Sequence, residues 1–217
     1  MTKSMVSVRR VKTEEDRGLA LRVLRVTYRR EKQWVRDESQ VFPESDLENP
    51  SVSWFLASVG RMPAGVIRVF YDLRLLDYRE YALNVVVDGF DIESFLQENK
   101  IAEIGRFAVR PRFRSIFGVA SHLMKAATED TVRRGYSHFI TDVFEGEQHS
   151  PYHFHKRVIG FQTVATHDVG ELNCSLRRIT MMLNLREAYQ RLRLNRGRFY
   201  RFLTEGWDDA LHRRLST

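Results

Sequence analysis

Cysteine is almost missing from this chain: Cys174 stands alone among 217 residues. No internal disulfide can form, which suits a reducing, cytoplasmic setting. Long apolar runs are missing too. None approaches the roughly 18 residues that a membrane span needs, and the first stretch, MTKSMVSVRRVKTEED, has no apolar core of signal-peptide type. No transmembrane segment is expected. The nucleophile-elbow pattern G-x-S-x-G, the Walker phosphate loop and the dinucleotide fingerprint are also absent, which removes the commonest hydrolase, nucleotide-hydrolase and dehydrogenase signatures. His149, His153 and His155 lie near Asp142 and Glu145, but two of them are spaced i, i+2 and point apart on a helix, and no HExxH occurs. No metal is expected. There is no internal repeat and no low-complexity segment.

What remains is a chain of ordinary globular composition, 43% hydrophobic, with a net charge of +7. The basic excess is uneven: residues 186–217 hold eight Arg against four acids, so +4 of the total sits in this short tail. A surface of this kind favours an acidic partner, whether nucleic acid, an anionic membrane or an acidic carrier protein. No recognised nucleic-acid-binding motif accompanies the charge, which leaves a non-enzymatic nucleic-acid binder as an alternative and not the main reading.

In chain order, Met5–Val11 reads as a strand. Thr13-Glu-Glu-Asp16 then has capping-box spacing before a helix over Glu14–Lys32, whose Leu21, Leu24 and Tyr28 share a face. Ser51–Val59 and Ala64–Tyr71 form a hairpin about Gly60-Arg-Met-Pro63. The charged connection Asp72–Arg79 reads as exposed. Tyr81–Val87 reads as a short strand, and Asp91–Asn99 as a helix capped by Asp91. Ile101–Val109 is a strand, followed by a basic turn and a helix to Arg134, ended by Gly135. Ser137–Glu145 is the next strand, and strand, helix, strand in this order make a parallel crossover. Ser150–Arg157 reads as one or two helical turns, Phe161–Val169 and Asn173–Leu183 as two last strands, and the residues after Leu185 as helix. Cys174 on the last strand reads as core. The expected domains are residues 1–184 and a basic helical extension, 185–217, packed on them.

The central stretch carries the chemistry. A strand running into a helix N-terminus gathers backbone N–H groups where phosphate or carbonyl oxygen can be held. Glu103 and Arg106, three apart, fall on opposite faces unless the strand bulges, and Gly105 makes a bulge plausible.

The run Glu103-Ile-Gly-Arg106-Phe-Ala-Val109 resembles the E-x-S/G-R-F/L-A-V strand of acyl-homoserine-lactone synthases and long-chain N-acyl amino acid synthases, members of the GNAT acyltransferase superfamily. Leu24-Arg25, Tyr28 and Trp34 resemble their first-helix signature, Gly65-Val-Ile-Arg68 their G-x-x-R strand, Gly118-Val-Ala120 the end of the pyrophosphate loop, and Gly160-Phe161 the close of Y-x-x-x-G-F. The likeness spans about Val23–Phe161. It implies an α/β (α+β) GNAT-like fold, with a mixed twisted sheet flanked by helices and a V-shaped splay between two central parallel strands, parting past Phe107.

The resemblance also implies roles. Glu103 would be the general base, Arg106 its organiser, and His155, near the place of the superfamily's general-acid Tyr, a proton donor to the leaving thiolate. Phe107, Ala108 and Val109 would hold the pantetheine arm and thioester oxygen, with Arg112, Arg114, Gly118 and Ala120 at its phosphate. Arg25, Tyr28, Trp34 and Arg68 would bind the acceptor. Glu103 can equally serve as an ion-pair partner of Arg106 or Arg68, and Arg68 or Arg106 can take an amino acid's carboxylate by a bidentate fork. An ordinary carboxylate and an α-amine are mismatched by about 3.5 pKa units, roughly 5 kcal/mol, so burial or an intervening water must assist the proton transfer.

The loop departs from Q/R-x-x-G-x-G/A: Ser115 stands three before Gly118, Arg114 falls one place early, and Phe117 is bulky. This favours the acyl-phosphopantetheine of acyl carrier protein over acyl-coenzyme A as co-substrate, with no tightly bound cofactor. The expected function is transfer of a long-chain acyl group from acyl carrier protein to the α-amine of an amino acid. The aromatic residues Trp34, Phe42, Trp54, Phe70 and Tyr71 would suit an aromatic acceptor such as tyrosine. Acyl-homoserine-lactone synthesis is the alternative within the family, for which Asp37, Asp46 and Glu48 give an imperfect acidic pattern.

Overall fold

The structure, a computed structural model, describes residues 6–71, 81–114, 118–195 and 197–216. The expectations for Asp72–Arg79, Ser115 and Phe117 lie outside these residues. Among the described residues eight strands form one mixed sheet, in the order Val6–Arg10, Val52–Val59, Met62–Phe70, Ile101–Val109, His138–Phe144, Arg178–Asn184, Gln162–His167 and Asn84–Val85. Within the chain, two compact units emerge: Met1–Phe70, Ile104–Thr128 and Leu172–Cys174 in the first; Tyr71–Glu103, Glu129–Glu171 and Ser175–Thr217 in the second. This division differs from the expected boundary at residue 184, because the C-terminal helices group with the later strands.

In the first unit, β1 (Val6–Arg10), β2 (Val52–Val59) and β3 (Met62–Phe70) pair antiparallel. Helix α1 (Glu14–Leu24) starts where the Thr13 hydroxyl accepts the Asp16 amide, as the capping spacing predicts. The expected long helix to Lys32 changes pitch midway. Arg25–Glu31 is a π-helical turn, closed by Lys32 N–H donating to Thr27 O at 2.9 Å. The core packs Val23, Leu24 and Tyr28 against Phe42, Trp54 and Ala108. Phe42 stacks on Trp54 with centroids 3.9 Å apart. Gly65 leaves no room for a side chain, since a Cβ there would meet Ala108 O at 2.9 Å and Leu123 at 3.0 Å.

The strand β5 (Ile101–Val109) begins in the second unit, where it pairs parallel with β6 (His138–Phe144). The crossover between them runs through α3 (Val119–Arg133), which comes after α2 (Ile92–Glu98) in the chain and ends at Gly135 with φ +80°. The parallel ladder has three pairs, the last being Glu103 with Ile140, so it ends at Glu103 and not past Phe107 as expected. Antiparallel β8 (Arg178–Asn184) and β7 (Gln162–His167) continue the sheet to β4 (Asn84–Val85).

Two strands are shorter than the sequence suggests. Tyr81–Val87 shrinks to β4, and Asn173–Leu183 loses its first residues because the Asn173 amide is drawn to Trp34 O at 3.0 Å. Cys174 therefore lies in a half-buried loop and not on a core strand. The tail is three helices, α4 (Leu185–Asn195), α5 (Arg198–Thr204) and α6 (Asp209–Ser216), with the break at Gly197, the N-cap of α5. Tyr189 of α4 ties them together, stacking on Trp207 and sharing a 2.9 Å hydrogen bond with His212.

Candidate active site

The backbone of β5 is broken at one residue. Arg106 has φ +50°, a left-handed conformation that costs a non-glycine residue about 1–3 kcal/mol. The distortion falls on the arginine and not on Gly105, where the sequence points. It lies three residues after Glu103, the residue at which the ladder to β6 ends. Glu103, half-buried, thus closes the regular part of the strand, and Arg106 re-aims the last three residues, Phe107 to Val109. Immediately beyond, the Arg110 amide donates to Ala64 O at 2.9 Å, fixing the end of β5 against β3.

Arg106 and Arg68 share a neighbour. Tyr28 is buried, and burial pushes its phenol above the ordinary value while the positive charges of Arg106 and Arg68 pull it back. Trp34 meets Tyr28 edge-on at 5.1 Å, and its amide donates to Tyr28 O at 2.8 Å. Four of the predicted residues, Tyr28, Trp34, Arg68 and Arg106, therefore form one aromatic and cationic group in the first unit. Such a group can hold a carboxylate by its guanidiniums and an apolar side chain by its rings.

Arg25 does not face that group as an open ligand. Its Nε lies 2.5 Å from Oε1 of Glu38, a carboxylate 3% exposed, and Arg29 reaches the other oxygen at 3.4 Å. Burial pushes the Glu38 carboxyl up, but its own backbone amide and Arg25 together hold it below the usual range. Arg25 is a tie between the π turn and the segment after it. Sequence reasoning misses Glu38 because it lies in an irregular polar stretch with no periodic signal.

The basic turn divides its labour. Arg114 is held by Glu31 in a bidentate pair at 2.6 and 2.7 Å and donates to Val109 O at 3.0 Å, so its guanidinium fastens the turn. Arg112 is exposed, packs 4.6 Å over the Phe113 ring and meets no carboxylate among the described residues, which makes it the cation of the turn open to a phosphate. Gly118 has φ +130°, and its carbonyl accepts the His122 amide and faces His122 Nδ1, both at 2.7 Å. Val119 and Ala120 then open α3, whose first N–H groups and dipole favour an anion.

His155 is placed differently from the expectation. It is 0% exposed, set between Phe154 and Phe161, and burial lowers its pKa to about 3. A neutral imidazole is far too weak an acid to protonate a thiolate at neutral pH, and this one is sealed in the core, so the general-acid role is withdrawn from it. Tyr152, half-exposed and three residues earlier, is the chemically suitable group that sequence reading passes over. The Lys156 ammonium donates to its hydroxyl at 2.9 Å and pulls the phenol below its ordinary value. The i, i+4 spacing of Tyr152 and Lys156 is the available signal.

Residues 19–161 match the model of the Acetyltransferase (GNAT) family. The chain belongs to this family. It is an N-acyltransferase of the GNAT type, working from a thioester donor. No curated protein matches this GNAT chain by sequence. Among solved structures it is similar to FeeM, an N-acyl amino acid synthase from uncultured soil microbes, with TM-score 0.65 and 20% identity over 86% of this chain and 94% of that one. It is also similar to the ribosomal-protein-S18-alanine N-acetyltransferase from Escherichia coli, with TM-score 0.55 and 12% identity over 83% and 94% of the two chains. A third likeness is to the PaiA N-acetyltransferase from Thermoplasma acidophilum in complex with coenzyme A, with TM-score 0.54 and 14% identity over 82% and 99%. At such identities the likeness is one of fold. Among the described residues of this GNAT enzyme, no helix is long and apolar enough to cross a membrane.

Proposed function

We propose that this enzyme moves a long-chain fatty acyl group from acyl carrier protein to the α-amine of an amino acid. The observation that carries the reading is the break in β5, where the ladder ends at Glu103 and Arg106 turns left-handed before Phe107, Ala108 and Val109. Acyl transfer needs a carboxylate at the edge of a backbone irregularity that can receive a thioester oxygen. The amine attacks the thioester carbon, a C–N bond forms and the C–S bond breaks. Glu103, directly or through a water, takes the amine proton and releases it to solvent, from which the departing thiolate is protonated; Tyr152, its phenol held below the ordinary value, has the chemistry of a general acid for that step.

The acceptor's carboxylate pairs with Arg68 or Arg106, and its side chain lies against Tyr28 and Trp34. Arg112 meets the single phosphate of a carrier-bound pantetheine. Exposed Arg193 of α4 and Arg198 and Arg201 of α5 present the basic surface that an acidic carrier would approach. The fold likeness to an N-acyl amino acid synthase supports the same reading.

Lipid extracts of bacterial cells expressing the chain test it by mass spectrometry. New N-acyl amino acids are expected, falling about 10²- to 10⁴-fold with Glu103→Gln. Extracts with acyl-homoserine lactones instead, or products undiminished by Glu103→Gln, would overturn it.

A further inference from the structure

The second unit holds a cavity of about 480 Å³ that no part of the proposed reaction uses. Its size is that of a small-molecule site, roughly 300–1,000 Å³. Phe95, Val164, Met182 and Ala188 give it apolar walls, while His138 and Arg191 supply polar groups.

His138 is 8% exposed and lies against the Ser137 hydroxyl. That hydroxyl is 3.1 Å from Lys100 O and 2.9 Å from His138 Nδ1; when its one proton goes to the carbonyl it accepts from Nδ1–H, the tautomer that leaves Nε2 a lone pair. Burial lowers the pKa of this histidine, which keeps the ring neutral. Phe95 meets the ring edge-on at 4.9 Å and holds its orientation.

Arg191 is held as firmly. Its Nη2 donates to Ile159 O at 2.7 Å, and it passes through the space where Gly160 lacks a side chain, since a Cβ there would lie 1.8 Å from that nitrogen. Gly160 also has φ +100°, a conformation few other residues adopt. No carboxylate among the described residues pairs with Arg191. Glu187, one turn earlier, is turned back on Asn184, accepting its amide at 3.2 Å while Asn184 caps the Glu187 N–H at 3.1 Å. The remaining guanidinium donors are left for something else.

A cation held by the backbone, an apolar body and a buried acceptor describe a complementary molecule. We infer that this cavity is a second ligand site, for an amphipathic carboxylate whose anion pairs with Arg191, whose apolar body lies against Phe95, Val164, Met182 and Ala188, and whose far end donates a hydrogen bond to His138 Nε2. Hydroxyaryl carboxylates and hydroxylated fatty acids share this chemistry. The inference concerns binding alone and does not depend on the transfer reaction.

Isothermal titration of the full chain with four probes decides it: phenylpropionate, hydroxyphenylpropionate, decanoate and ω-hydroxydecanoate. Saturable one-to-one binding is expected in the aryl or the alkyl pair, which separates the two sources. In that pair the hydroxylated member should bind about 5- to 10-fold tighter. Arg191→Gln should weaken it about 10-fold or more. His138→Phe should erase the hydroxyl preference, and Ala188→Trp should abolish binding by filling the space. No saturation with any probe, equal affinities for hydroxylated and plain members, or a methyl ester binding as tightly as its acid would each overturn the assignment. These last comparisons use the wild-type chain, so they stand even where a variant fails to fold.

Discussion

Burying a titratable ring at the heart of a fold makes stability depend on acidity, and His155 gives that dependence a size. Its pKa falls from the ordinary 6.5 to about 3 because burial disfavours the charged ring. The unfolded chain therefore binds a proton that the folded one refuses. The His155 contribution is whole above pH 6.5 and drains as pH falls from there towards the folded value of about 3. At about 1.36 kcal/mol per unit, the 1.5 units between 6.5 and pH 5 amount to about 2 kcal/mol. His155→Leu removes the titration while keeping an apolar side chain among Phe154 and Phe161. Urea unfolding of both proteins at pH 7 and pH 5 measures the difference. The wild type should lose about 2 kcal/mol more than the variant over that interval. Equal losses in the two proteins would show that the ring is hydrated or charged in the folded state, and the argument that removes it from catalysis would fail with it.

Glu38→Gln should cost about 1–3 kcal/mol at neutral pH by loosening Arg25 and Arg29. Because the folded carboxyl titrates below its ordinary range, that cost should shrink in denaturation curves as the medium is acidified through the carboxylate range. Gly160→Ala should destabilise by about 1–3 kcal/mol, for its positive φ and for displacing Arg191. Pairing it with Arg191→Ala should recover the steric part, a double-mutant cycle read from unfolding midpoints. The two arginines of the basic turn should separate in steady-state kinetics. Arg112→Gln should raise the donor KM about 10-fold with kcat retained, whereas Arg114→Gln should chiefly lower stability, by about 1 kcal/mol, through loss of Glu31.

Much of this architecture was legible because local chemistry and tertiary structure agree. Thr13, Asp91 and Gly135 mark the helix ends their side chains or backbones favour, and the β2–β3 hairpin tracks its apolar runs. The readings failed where long-range packing overrides periodicity. The first helix keeps a helical apolar face to Tyr28, so nothing in its spacing distinguishes a π turn from an α-helix. The start of the last strand, Asn173-Cys-Ser-Leu-Arg-Arg178, reads as paired only by continuity with the apolar run after it, and Asn173 instead bonds Trp34. At the candidate site, composition could nominate charged residues but not their partners. Glu31 and Glu38 lie 83 and 13 positions from the arginines they hold, and only the fold brings the former within reach. His155 illustrates the same gap, since a histidine in a polar run can face water or lie sealed under a phenylalanine.

The left-handed Arg106 has a consequence for how this protein could change. A glycine at 106 would relax the left-handed backbone, and where that relief exceeds the contacts the Arg106 side chain gives up, the mutant chain should withstand more denaturant than its parent. It would also lose the guanidinium beside Tyr28. Variants gathered by screening for heat resistance alone would therefore drift towards a sturdier protein with a silent centre, and any such screen should weigh turnover alongside survival.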